Sequence, residues 1–226
     1  MSYRDTQPKP VFFTFSDTIM ASKTALVLID VYNDFLHPNG KLYGGLAESL
    51  KDSNTIEHLE AVLDAARKHN IPTFYSLHQQ YRKGKYAGFE HQNAMLQSIQ
   101  QNQAFEEGAF GSEVFKSLAP NVEKGDTLNV SQKHLADYAP GSSFENTDLD
   151  WLLRQHSITH LVFAGLVVNS CIETTAREAN ERGYNITMLS DATAGWSTEG
   201  KNASVQHSWP AFASQILETR KWIETL

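Results

Sequence analysis

Residues 24–30 read Thr-Ala-Leu-Val-Leu-Ile-Asp, and this run gives the clearest indication of the fold class. Its unbroken aliphatic run leaves no polar face, which is typical of a strand that is buried on both sides. Such strands belong to parallel sheets that are covered by helices on both faces. The stretch also ends on a carboxylate, Asp30, which a parallel strand would present at the carboxyl edge of the sheet.

The rest of the chain repeats this pattern of strand and helix. Further strands are predicted at 71–77, 127–131, 161–164 and 186–189, and helices at 54–69, 147–156, 171–182 and 199–218. Alternating strands and helices predict an α/β fold with a doubly wound, mostly parallel sheet and helices on both faces.

The chain shows no internal repeat and no linker, so we expect a single domain over residues 1–226. Within it, Pro8 and Pro10 disfavour helix and predict an extended N-terminal arm over residues 1–22. Residues 78–126 are polar, and there we expect a long excursion with short helices near 90–100 and 111–118.

Composition narrows the class of protein. The net charge of -7, without a basic cluster, argues against nucleic acid and against an anionic membrane surface as partners. No apolar run is long enough to cross a bilayer, and the N-terminus lacks the apolar core of a signal peptide. One cysteine excludes an intrachain disulfide and fits a reducing compartment. We therefore expect a cytoplasmic protein.

Three reactive residues fall at or just after predicted strand ends: Asp30, Lys133 and Cys171. Open α/β sheets bind ligands at the carboxyl ends of their strands, so the fold would gather these side chains. Cys171 also opens a predicted helix, where the dipole and a nearby ammonium are expected to lower the pKa of the thiol. A carboxylate can take the thiol proton and later return it to a leaving amine.

Each of these residues also has a structural interpretation. A single cysteine is often an inert buried residue, an aspartate at a strand end is often a cap, and a lysine after a strand is usually solvated. Their coincidence at three strand ends favours a catalytic site.

Three longer motifs resemble those of the isochorismatase-like cysteine hydrolases. Residues 26–35, Leu-Val-Leu-Ile-Asp-Val-Tyr-Asn-Asp-Phe, resemble the first motif of that family, and Lys133 followed by residues 143–149, Ser-Phe-Glu-Asn-Thr-Asp-Leu, resembles the second. Residues 165–184 contain Gly-Leu-Val-Val-Asn-Ser-Cys and resemble the third, which carries the nucleophile. The resemblance extends from about residue 24 to residue 217.

The resemblance implies a Rossmann-like sheet and a catalytic triad of Asp30, Lys133 and Cys171. It also implies a cis peptide bond between Leu166 and Val167. This bond would turn the backbone N–H of Val167 toward an oxyanion, beside the N–H of Cys171.

The first and third motifs each depart from the family pattern, because Tyr32 stands where a glutamine is usual and Val168 where a threonine or serine is usual. Position near strand ends suggests substrate-binding roles for four further residues, for which core packing is the alternative interpretation. They are Phe35, His78, Tyr138 and Phe144. Arg177 is expected to pair with Glu173 one helical turn earlier.

These observations predict a hydrolase that cleaves a C–N bond of a small amide or ureido compound through a thioester. Two alternatives stay open: a vinyl-ether hydrolase of the isochorismatase type, which needs no thiol, and an inactive binding protein of the same fold. We expect no cofactor and no metal, since Ser76 replaces the carboxylate that the nicotinamidase branch of the family places two residues before a histidine, here His78. The arm and the excursion, with family habit, predict a homo-oligomer, either a dimer or a tetramer.

Overall fold

The computed structural model describes residues 23–129 and 141–226. The predicted N-terminal arm, the last residues of the predicted strand 127–131, and the candidate site residues Lys133 and Tyr138 lie outside these ranges. That residues 1–226 form one domain stays a prediction.

Within these two ranges, six parallel strands form one sheet in the order β3-β2-β1-β4-β5-β6. Their bounds are β1 Thr24–Ile29, β2 Thr73–Ser76, β3 Thr127–Asn129, β4 His160–Leu166, β5 Asn185–Ala194 and β6 Gln215–Leu217. The predicted doubly wound α/β architecture is confirmed. Strand order reverses between β1 and β4, and at such a switch point the loops diverge and leave a crevice for a ligand.

Helices cover both faces of the sheet. They are α1 Asn33–Leu36, α2 Tyr43–Asp52, α3 Thr55–Lys68, α4 Ala94–Asn102, α5 Leu149–Gln155, α6 Glu173–Glu181, α7 Thr198–Ala203 and α8 Thr219–Ile223. Every side chain of β1 is buried; Leu26 and Leu28 join one apolar core, while Val27 and Ile29 join the other. Within the described ranges, no helix combines the length and apolar character that a membrane span requires.

Gly165 allows the ends of β1 and β4 to approach closely. Its φ is +122°, and a Cβ atom there would lie 2.1 Å from the backbone oxygen of Ile29, its partner in the sheet. Only glycine adopts this φ readily, and only a residue without a Cβ atom fits beside the Ile29 oxygen. The close approach brings the residue after β1, Asp30, toward the segment that follows β4.

The predicted helix 199–218 is wrong over most of its length. Helix α7 ends at Ala203, a wider helical turn follows to Ser208, and a short 3-10 turn holds Pro210. Proline lacks the backbone donor that a continuing helix needs. Strand β6 then pairs with β5 as a sixth strand, one more than the sequence predicted.

The excursion carries less regular structure than predicted. Helix α4 confirms the expected helix near 90–100, and the Asn93 side chain caps it by accepting a hydrogen bond from the backbone N–H of Leu96. The predicted helix at 111–118 is two separate 3-10 turns, Phe110–Ser112 and Lys116–Leu118.

Candidate active site

Asp30 and Cys171 meet at the carboxyl edge of the sheet. Asp30 follows β1 with a φ of +53°, and its N–H donates to the backbone oxygen of Ser76 at 3.0 Å. Its carboxylate accepts the backbone N–H of His78 at 2.5 Å and lies within hydrogen-bonding reach of the Cys171 thiol. Two of the three predicted triad residues are therefore in contact.

Cys171 lies in an irregular segment between β4 and α6. The peptide bond between Leu166 and Val167 is cis, as the resemblance implied. The wide turn Val168–Ile172 follows, and α6 begins only at Glu173. Cys171 is 7% exposed. The backbone N–H of Val167 lies within reach of its sulfur, and the Ser170 hydroxyl oxygen lies 3.9 Å from that sulfur.

Burial has the largest effect on the pKa values of Asp30 and Cys171. It raises the pKa of Asp30 to about 7, although hydrogen bonds from the Cys171 thiol and from the His78 N–H counteract it. Burial also raises the pKa of the Cys171 thiol well above its usual range, and the neighbouring Asp30 carboxylate raises it further. Near neutral pH the described residues therefore hold a protonated thiol beside a carboxyl group that ionises in the same range.

This result corrects the expectation that the helix N-terminus lowers the pKa of the thiol. Cys171 precedes the first residue of α6 by two positions and is almost fully buried. Desolvation of a thiolate costs more than a helix dipole of about 0.3–1 kcal/mol returns at an ordinary site. The ammonium of Lys133, which was expected to act in the same direction as the dipole, lies outside the described residues.

His78 joins Asp30 through its backbone, and its side chain is enclosed. The imidazole Nδ1 donates to the backbone oxygen of Gln79 at 2.8 Å, and the ring packs on Phe105 with centroids 5.2 Å apart. Burial, and to a smaller extent the Lys85 ammonium, lowers the pKa of His78 to about 4, against the opposing effect of the hydrogen bond to Gln79. His78 is consequently a neutral imidazole at physiological pH.

The other two described candidates for substrate binding are packed into the cores. Phe35 is 2% exposed and packs on Phe105 and Trp196, with ring centroids 4.9 and 6.1 Å apart. Phe144 stacks on Tyr184 at 6.0 Å and carries Arg182 over its ring at 5.1 Å. Both partners of Phe144 follow the last residue of α6, roughly 13 Å along the helix from the cysteine end. These contacts match the alternative interpretation of Phe144 as a packing residue.

The structure also shows the contacts of Arg177 and Val168, two residues that the sequence analysis singled out. Arg177 donates to Glu173 at 2.8 Å, which confirms the predicted pair. Val168, which departs from the motif, is fully buried against Gly195, where a Cβ atom would lie 2.8 Å from its side chain. Val168 therefore fills the core beside the nucleophile segment.

Comparison with known proteins decides the family. The model of the isochorismatase domain matches residues 24–218, which is most of the chain and includes Asp30, Cys171 and the cis peptide bond. The chain belongs to the isochorismatase family.

Similar proteins agree with this assignment. Ureidoacrylate amidohydrolase RutB of Rhizobium rhizogenes is 27% identical over 197 residues, which cover 83% of this chain and 74% of that protein. The structure of a cysteine hydrolase from Pseudomonas syringae pv. phaseolicola superposes with a TM-score of 0.73 and 25% identity, covering 97% of this chain and 98% of that one. N-carbamoylsarcosine amidase of Thermoplasma acidophilum shares the fold, with a TM-score of 0.64 and 24% identity over 87% of this chain and 96% of that one.

The excursion of this isochorismatase-family chain adds Phe105, a residue that the sequence did not assign to the site. Phe105 packs on the rings of Tyr32 and His78, and its N–H donates to the Asp34 carboxylate at 2.6 Å. The Tyr32 hydroxyl donates to the backbone oxygen of His78 at 2.7 Å. In the sequence, Phe105 is an aromatic residue in a polar stretch. This pattern does not indicate which residues its ring contacts.

The donors near Asp30 do not fit the metal site of the nicotinamidase branch of the family. Ser76 is 4% exposed and supplies a neutral hydroxyl in place of the carboxylate, which is a much poorer ligand for a divalent cation. Over residues 23–129 and 141–226, no three histidine, cysteine or acidic side chains are grouped as metal ligands.

Proposed function

We propose that this chain is a cysteine-dependent hydrolase that cleaves a C–N bond of a small amide or ureido compound through a thioester at Cys171. The observation that carries the proposal is the contact between the Cys171 thiol and a buried carboxyl group, Asp30, whose pKa is raised to about 7. A general base with a pKa near the working pH is best suited to accept a proton and give it back. The names of the similar amidohydrolases support the bond type.

In the first half of the reaction, the Cys171 sulfur attacks the carbonyl carbon of the amide, and the thiol proton passes to the Asp30 carboxylate. The carbonyl oxygen becomes an oxyanion, for which we propose the backbone N–H groups of Val167 and Cys171 as donors. Asp30 then protonates the leaving nitrogen, the C–N bond breaks, and an amine or ammonia departs. The acyl group stays on Cys171 as a thioester.

In the second half, the same carboxylate acts again as a base. Asp30 takes a proton from water, and the resulting hydroxide attacks the thioester carbon. The C–S bond breaks, the proton returns from Asp30 to the sulfur, and the carboxylic acid product leaves. The cycle ends with the protonated thiol and the ionised carboxylate with which it began.

Lys133 has a specific role in this proposal. Burial and the Asp30 carboxylate both disfavour the thiolate, so the first attack needs a compensating positive charge. A lysine ammonium near the pair would stabilise the sulfur as its proton leaves. Lys133 is the residue that the second motif assigns to this task, and Lys133→Ala tests it.

The small-molecule site is proposed to lie between the ends of β1 and β4. His78 supports this location, because its backbone N–H donates to the Asp30 carboxylate and its neutral ring packs on Phe105. Tyr138 keeps its proposed role as a wall residue, and Phe35, which is buried against Phe105 and Trp196, is proposed to pack behind that wall. Phe144 is the weakest member of the predicted set because its ring contacts lie at the opposite end of α6.

A release assay distinguishes this function from the alternatives. The protein is incubated with nicotinamide, ureido compounds, biuret and maleamate, and ammonia is measured by a coupled assay. We expect ammonia from at least one of these amides, whereas a vinyl-ether hydrolase or an inactive binding protein would release none. The thiol–carboxyl contact favours the amidase, because vinyl-ether hydrolysis needs no thiol nucleophile.

Activity is expected to be independent of divalent metal ions. The thiol attacks without a metal, and the described donors lack the carboxylate that such an ion would need at position 76. The measurement is kcat/KM after dialysis against EDTA, with and without added zinc, manganese or iron. A loss on chelation that one of these ions reverses would show that Ser76 and His78 were misinterpreted.

We also propose that the protein forms a homo-oligomer with closed symmetry, a dimer or a tetramer. The motivation is the N-terminal arm predicted over residues 1–22, together with the long excursion. Multi-angle light scattering at assay concentration is expected to give a multiple of the 25.3 kDa chain mass. A mass of one chain across the concentration range would refute the oligomer.

A further inference from the structure

The backbone of His78 is held at both of its polar groups. Its N–H donates to the Asp30 carboxylate at 2.5 Å, and its carbonyl oxygen accepts the Tyr32 hydroxyl at 2.7 Å. Tyr32 is 1% exposed and Asp30 is 3% exposed, so water does not compete for either bond. The backbone of His78 therefore links the buried Tyr32 phenol to Asp30, the carboxyl group to which we assign proton transfer.

We propose that Tyr32 is a positioning residue for Asp30: its phenol fixes the His78 carbonyl and thereby keeps the His78 N–H directed at the carboxylate. The inference rests on the proposed function, because it takes Asp30 as the group that accepts the thiol proton. It adds a residue that does not touch the reacting atoms but sets the geometry of one that does.

The position of His78 explains why such a support is needed. Strand β2 ends at Ser76, whose backbone oxygen accepts the N–H of Asp30, so His78 lies beyond the ladder that fixes β2 against β1. The orientation of the Asp30 carboxylate therefore depends on how firmly the backbone of His78 is held. The Tyr32 hydroxyl, which donates to the His78 carbonyl oxygen, fixes that backbone at a second point.

Tyr32 is itself rigid. Its ring packs on Phe105 with centroids 5.1 Å apart, and its backbone forms an antiparallel bridge with Val114 of the excursion. Phe105 is fixed in turn, because its N–H donates to the Asp34 carboxylate at 2.6 Å. The phenol oxygen is therefore placed by packing on the excursion, which explains how a segment distant in sequence acts on the catalytic carboxyl group.

The groups that face Asp30 define what Tyr32 can change. Among the described residues they are the Cys171 thiol before α6, the Tyr32 phenol three residues after β1, and the backbone N–H of His78 beyond β2. The Lys85 ammonium acts on the neutral His78 imidazole, and Lys133 is the further cation that the proposed function assigns to this pair. The hydrogen bond from the His78 N–H lowers the pKa of Asp30 against the larger effect of burial. If that bond is weakened, the carboxyl group ionises at a higher pH.

The test measures the rate of Cys171 alkylation by iodoacetamide from pH 5 to pH 9, followed by intact-protein mass spectrometry. This readout needs no substrate. In the wild type we expect the rate to rise with a midpoint near pH 7, as Asp30 becomes able to accept the thiol proton. In Tyr32→Phe, which keeps the packed ring, the midpoint is expected to move up by roughly half a pH unit or more.

Tyr75→Phe is the matched control. The Tyr75 hydroxyl is buried in the same way and donates to the backbone oxygen of Leu118 at 2.8 Å, away from Asp30. It should lose comparable thermal stability and keep the wild-type alkylation midpoint. Tyr32→Leu, which also lacks the hydroxyl, should shift the midpoint in the same direction as Tyr32→Phe. Midpoints in both Tyr32 variants that coincide with the control would overturn the inference.

Asp30→Asn separates this inference from the proposed function. Should the rise near pH 7 persist in Asp30→Asn, Asp30 does not accept the thiol proton, and the proposed function and the inference both fail. Should the rise disappear in Asp30→Asn while Tyr32→Phe leaves it in place, the proposed function stands and only the role of Tyr32 is wrong.

Discussion

Replacing Cys171 with alanine is expected to lower kcat/KM for the amide substrate by at least about 10⁴-fold. The proposed thioester requires a sulfur at this position, and Cys171 is the only cysteine of the chain, so no other thiol can substitute. Turnover of the purified variant is measured by ammonia release at the optimum pH of the wild type.

The fold should survive this change. The substitution removes one buried sulfur atom from a core that is otherwise aliphatic and aromatic, so circular dichroism and the thermal melting temperature should stay close to those of the wild type. Cys171→Ser preserves the size of the side chain and should be nearly as inactive, because a hydroxyl is a much poorer nucleophile at the same pH. Near wild-type turnover in a folded Cys171→Ala protein would disprove nucleophilic catalysis by this residue.

Asp30→Asn is expected to lower kcat/KM by roughly a hundredfold or more, the range for a lost acid–base group. The pH dependence follows from the raised pKa of Asp30, about 7. The carboxylate must be ionised to accept the thiol proton, so wild-type kcat/KM should fall about tenfold per pH unit below pH 7. In Asp30→Asn the remaining activity should lack this acid limb.

Asp126→Asn is the matched control for charge and burial. Asp126 is 4% exposed, and its carboxylate accepts hydrogen bonds from the Arg67 guanidinium at 2.6 Å and from the backbone N–H of Asn121 at 2.7 Å. It precedes β3 and so lies at the edge of the sheet opposite the strand ends that carry Asp30 and Cys171. This variant is expected to lose thermal stability but to retain the acid limb near pH 7. An acid limb that is unchanged in Asp30→Asn would mean that another group carries the proton.

The sequence predicted the parts of this site that depend on strand ends. An aliphatic run that stops at Asp30, and a second run that leads through Gly165 to Cys171, are enough to bring two reactive groups to one edge of a parallel sheet. The family motifs added the cis peptide bond before Val167, which periodicity alone does not indicate.

The sequence could not predict features that depend on contacts between distant segments. Phe105 stands in a polar stretch, yet it packs against Tyr32 and His78. Strand β6, Gln215–Leu217, is too short to show a strand period, so the sequence predicts the end of a helix there. Three residues become a strand there because the edge of β5 offers them backbone partners.

The direction of the thiol pKa was predicted wrongly for a physical reason. A sequence indicates that Cys171 lies near the start of a helix, but it does not show that the thiol is buried beside a carboxylate. Burial outweighs the helix dipole at this position. The consequence is a mechanism in which the proton leaves the sulfur during attack, rather than one that starts from a stable thiolate.

The thioester is tested most directly by mass spectrometry of the protein quenched with acid during turnover of an amide that releases ammonia. We expect an added mass equal to the acyl part of the substrate, located on the peptide that contains Cys171 and removed by hydroxylamine. Sustained ammonia release with no acyl adduct on Cys171 at any quench time, in the wild type or in the slower Asp30→Asn variant, would contradict the thioester mechanism.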